Sequence, residues 1–251
     1  MYDGKRVAAY TGTRNLYRMM VPAVKSMIIN SDVDDIYLFI EDDEFPKSYG
    51  MPEEIVHTIN CSKQKYFPQD GPNMKSKFTY MALMRAAFYK EFPNLDRILS
   101  LDVDTIVNED ISDIWDFPLG DKYYFAATKE PSASKTWSDR TGTDFISTNI
   151  GVCLQNLKKF RADGKGDEII KSLNTEQTDY VDQEVFNNLC QGAIYDMPPE
   201  YNSNYFTKEC ERPKIVHYAG IKIWDRKLLV EKYADCPWNE VLMYRKRRYR
   251  K

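Results

Sequence analysis

Short β-branched or aromatic runs alternate along this chain with longer stretches whose apolar residues recur at helical spacing. Residues 6–10 predict a first strand, followed by a turn at Thr11-Gly12-Thr13. Leu16, Met20, Val24, Met27 and Ile28 then share one face of a helix, so that face is buried. Residues 35–40 predict a second strand running into the acidic loop Glu41-Asp42-Asp43, and residues 55–59 a third. Pro68, Gly71 and Pro72 mark residues 62–73 as loop, a helix is expected over 75–89, ending before Pro93, and residues 130–147 are expected as a second loop. Strands are expected at 98–103, 123–127, 150–154 and 215–218. Helices are expected at 157–173 (weakened by Gly164 and Gly166), at 182–189 and in the C-terminal segment. The alternation implies an α/β fold with a mostly parallel sheet, whose ligands lie beyond the carboxyl ends of the strands. No repeat or long linker divides the chain, so one domain is expected over 1–243, followed by a tail at 244–251.

Composition narrows the setting. Five cysteines, Cys61, Cys153, Cys190, Cys210 and Cys236, form no CxxC pair, which argues against a disulfide framework and a cysteine zinc site. They read as reduced thiols. No stretch approaches the ~20 apolar residues of a membrane span, and the first residues lack the apolar core of a signal peptide. A cytoplasmic protein is expected. The net charge of −3 disfavours nucleic acid as a partner. The tail Tyr244-Arg245-Lys246-Arg247-Arg248-Tyr249-Arg250-Lys251 runs against that balance. It is either a solvated terminus or a contact to the inner face of an anionic membrane, worth about 1 kcal/mol per basic residue near the headgroups.

Candidate chemistry concentrates in Leu99-Ser100-Leu101-Asp102-Val103-Asp104. Two aspartates two apart in extended backbone face one side, where their charges repel unless a cation joins them. A hard divalent ion accepts carboxylate oxygens and keeps positions for phosphate. Of the two histidines, His57 follows a strand-like run, is expected to have no acidic or cysteine partner nearby, and reads as structural. His217 closes the apolar run Lys214-Ile215-Val216 before Tyr218-Ala219-Gly220. It is either a core histidine or a third metal ligand.

In the order of its motifs the chain resembles glycosyltransferase family 8, which includes bacterial lipopolysaccharide galactosyl- and glucosyltransferases and glycogenin. The motifs are Ala8-Ala9-Tyr10-Thr11-Gly12-Thr13-Arg14-Asn15, Arg85, Asp102-Val103-Asp104, Asn149-Ile150-Gly151-Val152 with Asn156-Leu157-Lys158-Lys159, Val181-Asp182-Gln183-Glu184, and His217-Tyr218-Ala219-Gly220. The resemblance implies a GT-A fold, a UDP-sugar donor, Mn²⁺ or Mg²⁺, and retaining transfer of a hexose such as glucose or galactose to a glycan or lipid-linked glycan. It implies Asp102, Asp104 and His217 as metal ligands, and Tyr10, Thr11, Asn15, Val103, Gly220 and Lys222 as donor contacts. Arg85, Asn149, Asp182 and Gln183 are implied around the sugar. Two departures stand out. Tyr10-Thr11 replace the family's usual acidic residue after the first strand, so uracil is expected to stack on Tyr10 or to bond backbone. The interval from His217 to Lys222 is one residue short.

Gln183 is a poor nucleophile because its amide carries no charge, which favours a front-face path over a covalent intermediate. Three alternatives stand beside this one. Asp102-Val103-Asp104-Thr105 also resembles the nucleophile motif of haloacid-dehalogenase-type phosphatases, although that motif usually lies near the N-terminus. The others are a non-catalytic nucleotide-sugar-binding protein and a self-glycosylating one.

Overall fold

The computed structural model describes residues 2–219 apart from 77, 143, 208 and 209. Gly220, Lys222, Cys236, the expected C-terminal helix and the basic tail lie outside the described residues.

The chain begins with β1 (Val7–Thr11), α1 (Tyr17–Asn30), β2 (Asp35–Ile40), the single helical turn α2 (Phe45–Ser48) and β3 (Val56–Asn60). A 3₁₀ helix, Tyr80–Ala87, runs into α3 (Phe88–Glu91), β4 (Arg97–Leu101) and β5 (Thr105–Val107). Then come β6 (Phe125–Lys129), α4 (Pro131–Thr141), β7 (Thr148–Asn156), α5 (Leu157–Ala162), α6 (Lys165–Thr175), α7 (Val181–Leu189), β8 (Ile194–Asp196) and β9 (Ile215–His217).

Seven strands form one sheet in the order β3-β2-β1-β4-β7-β6-β8. All its pairings are parallel except those of β7, which runs against both β4 and β6. The expected mixed, mostly parallel sheet is present. β1 is buried along its whole length, as a central parallel strand must be. Ala8 and Tyr10 point into the core under α1, with Met20, Val24 and Met27. Val7 and Ala9 point into a second core with Phe88, Phe160 and Phe186. The strand order reverses between β1 and β4, and that switch opens the crevice in which such folds place ligands.

Four expectations change. The helix over 75–89 begins only at Tyr80 and winds as 3₁₀, which stacks the buried Met81, Met84 and Ala87 three apart. The single helix over 157–173 is two, broken at Gly164 with φ +67°. Residues 130–147, expected as loop, contain α4, opened by Pro131 and closed by Gly142 in the left-handed region. Finally, the strand over 98–103 stops at Leu101. Among the described residues no helix is long and apolar enough to cross a membrane.

Candidate active site

Asp102 and Asp104 leave the end of β4 in a turn rather than in extended backbone. The Thr105 hydroxyl donates to the Asp102 carbonyl at 2.8 Å and closes that turn. β5 then pairs antiparallel with β9, with Thr105 opposite His217. This ribbon delivers the imidazole to the carboxylates. His217 Nε2 lies 3.3 Å from Asp104 Oδ1 and 3.6 Å from Asp102 Oδ2. One ligand atom from each of the three residues lies within 4.8 Å of the others.

Gly151 forms the floor. The register of β6 against β7 shifts between Ala127 and Thr128, and this bulge brings Asn149 to Gly151 beneath the cluster. The Gly151 carbonyl accepts the Asp102 N–H at 2.7 Å. A Cβ on Gly151 would stand 2.2 Å from His217 Cε1 and 2.8 Å from Asp102 Oδ2. One imidazole and two carboxylates, spaced to share one ion over a floor without a side chain, fit a divalent cation such as Mn²⁺ or Mg²⁺.

Arg85, on the 3₁₀ helix, is buried and ion-paired to both Asp102 and Asp182, the latter at 2.9 Å. It also donates to the Ile150 carbonyl. By holding Asp102 Oδ1, Arg85 leaves Oδ2 directed at His217. Burial works against the charge of Asp102, but Arg85 and then His217 outweigh it and hold the carboxyl below the usual range. Burial likewise disfavours a charged His217, yet Asp104 and Asp102 raise its pKa. For Asp182, burial prevails over Arg85, with Asp102 adding repulsion, and its pKa rises to about 6.

Glu130, just past β6, is a site residue that no sequence motif singled out. Asn149 Nδ2 donates to its Oε1 at 2.8 Å and Gln183 Nε2 to its Oε2 at 2.9 Å. Burial raises its pKa against the pull of those amides. Asn202 and Asn204 were missed too, since Asn202-Ser203-Asn204 after Pro198-Pro199 reads as ordinary loop. Both are fully buried, and Asn202 Oδ1 lies 3.0 Å from His217 Nδ1.

On the β1 side, Gly12 packs against Val103, where an added Cβ would come within 3.3 Å of Val103 Cγ1. Thr11 is buried; Asn15 is exposed and bonded to the Thr13 hydroxyl. Tyr10 corrects an expectation. Its ring is wholly inside the core, with the hydroxyl donating to the Ala23 carbonyl at 3.4 Å, and offers no face to a base. Glu41, at the end of β2, accepts from the Arg14 N–H and the Tyr80 hydroxyl, which sets a carboxylate beside this turn. His57 does have an acidic partner, contrary to expectation: it bonds Asp35 of the adjacent strand at 2.9 Å, a structural contact far from the cluster at the opposite end of β2 and β3.

The family model for glycosyl transferase family 8 matches residues 18–227. The lipopolysaccharide 1,2-glucosyltransferase of Escherichia coli K12 is 30% identical over 87% of this chain and 66% of that protein. Glycosyltransferase GlyE of Streptococcus pneumoniae TIGR4 is 25% identical over 80% of this chain and 48% of its own length. The chain spans about half the length of relatives of this kind. A crystal structure of galactosyltransferase LgtC with donor and acceptor sugar analogues superposes with a TM-score of 0.68 at 18% identity, covering 95% of both chains. The fold is that of the GT-A glycosyltransferases.

Proposed function

The chain belongs to glycosyl transferase family 8, and from that premise we propose that it transfers a hexose from a UDP-sugar to a glycan or lipid-linked glycan acceptor with retention of configuration. That membership sets aside the phosphatase alternative. The observation that carries the proposal is the meeting of Asp102, Asp104 and His217 over Gly151 at the β1/β4 switch point. A divalent cation held there supplies positive charge to a leaving diphosphate.

The chain's own residues supply orientation. Arg85 fixes which oxygen of Asp102 faces the cluster and balances Asp182. Glu130 holds the amides of Asn149 and Gln183 in one arrangement, so both present fixed dipoles beside the sugar site. Gln183 carries no charge, and each oxygen of Glu130 is engaged by an amide. Neither is poised as a nucleophile, which supports the front-face path. Thr11, Asn15 and Val103 remain the proposed donor-side contacts, through the β1 turn and the residue between the aspartates.

A screen of UDP-sugars for transfer and hydrolysis, with and without Mn²⁺ or Mg²⁺, tests the whole proposal. Asp104→Asn should lower turnover by about 100-fold or more, the scale of losing a key electrostatic contact. Near-normal turnover in that variant removes the metal assignment. Donor binding without turnover under any acceptor would make the chain a binding protein instead.

A further inference from the structure

Behind His217 stand three buried asparagines whose orientations leave no choice. Asn204 Oδ1 accepts from the backbone N–H groups of Phe206 at 2.8 Å and Thr207 at 3.0 Å. Backbone N–H groups only donate, so the NH₂ of Asn204 must face Asn202, whose Oδ1 lies 2.9 Å away. On the other side, Asn149 Oδ1 accepts from the Gly151 N–H at 3.1 Å, which turns the Asn149 NH₂ toward Glu130. Asn202 Nδ2 lies 3.1 Å from the Asn149 backbone carbonyl and 3.0 Å from Asn149 Oδ1, both acceptors. Asn202 is therefore held from both ends, with its NH₂ toward Asn149 and its Oδ1 toward His217 Nδ1 at 3.0 Å. An amide oxygen carries no hydrogen, so the nitrogen facing it must.

We infer that Asn202 is a positioning residue that locks His217 as the Nδ1–H tautomer and leaves Nε2 bare toward Asp102 and Asp104. This extends the metal reading above and rests on it. A bare Nε2 facing two carboxylates at 3.3 and 3.6 Å is unfavourable unless a proton or a metal ion sits between them, and with Nδ1 holding its own hydrogen the lock leaves Nε2 as the nitrogen that a metal ion would take. The same amides continue through Asn149 to Glu130 and Gln183, and the cluster and the proposed sugar side share one rigid network. Thr207 supports it from outside, its hydroxyl donating to the Asn202 carbonyl at 2.6 Å.

The chain has two histidines, so imidazole ¹H–¹⁵N NMR separates His217 from His57 without ambiguity. The spectra are recorded on the wild type and on Asn202→Leu, at alkaline pH without metal and again with saturating Mg²⁺. Mn²⁺ affinity is measured in parallel from the electron paramagnetic resonance of the free ion. The wild type is expected to carry its proton on Nδ1. Asn202→Leu is expected to gain the Nε2–H form and to bind Mn²⁺ about 10–100-fold more weakly, with the His57 signals unmoved. An imidazole freed into water also favours Nε2–H, so the variant is read only where unmoved His57 signals and native backbone amide shifts show that its fold is intact. A wild-type ring protonated on Nε2 overturns the inference even if the variant fails to fold. So does a folded variant that keeps Nδ1–H and an Mn²⁺ affinity within about twofold of wild type, against the tenfold or more expected. A wild type that binds neither ion refutes the metal reading, and its metal-free spectrum then decides the lock alone.

Discussion

Glycine at position 151 is required by its neighbours rather than by its own backbone angles, since its φ is not positive. Any side chain there must displace the His217 ring or the Asp102 carboxylate, and the ring is walled in by Asn202. Gly151→Ala is therefore expected to fold, because overpacking of this size costs about 1–3 kcal/mol. It should still lose at least about tenfold in Mn²⁺ affinity, through a displaced ligand; calorimetric titration beside urea denaturation separates the two effects. Arg85 presents the opposite case, where charge matters more than volume. Arg85→Met keeps the bulk but strips two carboxylates of their counter-ion, which should destabilise by about 3–5 kcal/mol. The pH dependence has a definite sign. Burial raises the Asp182 pKa to about 6, so the folded state holds that proton more tightly than the unfolded chain does. Its contribution is most favourable below the ordinary carboxylate range and declines as pH rises through about 6. Urea midpoints should therefore show a smaller Arg85→Met deficit at pH 5 than at pH 7.5. An equal deficit at both would argue against the buried pairing.

At the scale of elements, what was legible followed from periodicity. β2 coincides with its expected bounds and β1 lies one residue from its own, because unbroken apolar runs in a parallel sheet have one way to be buried; the half-exposed edge strand β3 also lies one residue from its expected bounds. The cluster of Asp102, Asp104 and His217 was legible as residues but not as geometry. Asp102 and Asp104 were expected to share a face of a strand, whereas the Thr105 hydroxyl folds them into a turn. Asn202 and Asn204, behind His217, carry no period and no charge, so nothing local marks them. Their roles arise only when β9 pairs with β5 and Ser203 bridges Val216. α4 was overlooked because its polar face outweighs its apolar one, although Pro131 and Gly142 signalled its ends. Farther from the site, Asp35 joins three strands where they begin. It accepts from Lys5 at 2.8 Å, ahead of β1, and bonds His57 of β3 at 2.9 Å. Burial alone would raise the Asp35 pKa, but the bonds from Lys5 and His57 hold it below the usual carboxylate range. That lowered value stabilises the fold above the ordinary carboxylate pKa and is lost as pH falls through the folded one. Asp35→Asn should lower the urea midpoint at pH 7, since it removes the charge that Lys5 and His57 share. The gap to wild type in urea should close as pH drops below about 4.

Across the whole molecule, the cluster ties together segments that the sheet alone does not join. Asp102 directly follows β4 of the main sheet, whereas His217 belongs to the separate two-stranded ribbon of β5 and β9. The 202–204 segment hangs on that ribbon through Ser203 N–H to the Ile215 carbonyl and His217 N–H to the Ser203 carbonyl. A cation bound by all three ligands would therefore pin the ribbon and the asparagine segment to the sheet. Binding to the folded state alone adds stability by mass action, about 2.7 kcal/mol at a hundredfold excess over Kd. Thermal midpoints should rise with Mn²⁺ in the wild type and stay flat in His217→Ala. Hydrogen exchange should slow on adding Mn²⁺ most in β9 and residues 202–204, and least in β3 at the far edge of the sheet. Uniform slowing would mean that the ion stabilises the chain without bridging ribbon and sheet. A rise in midpoint that survives His217→Ala would place the stabilising ion elsewhere.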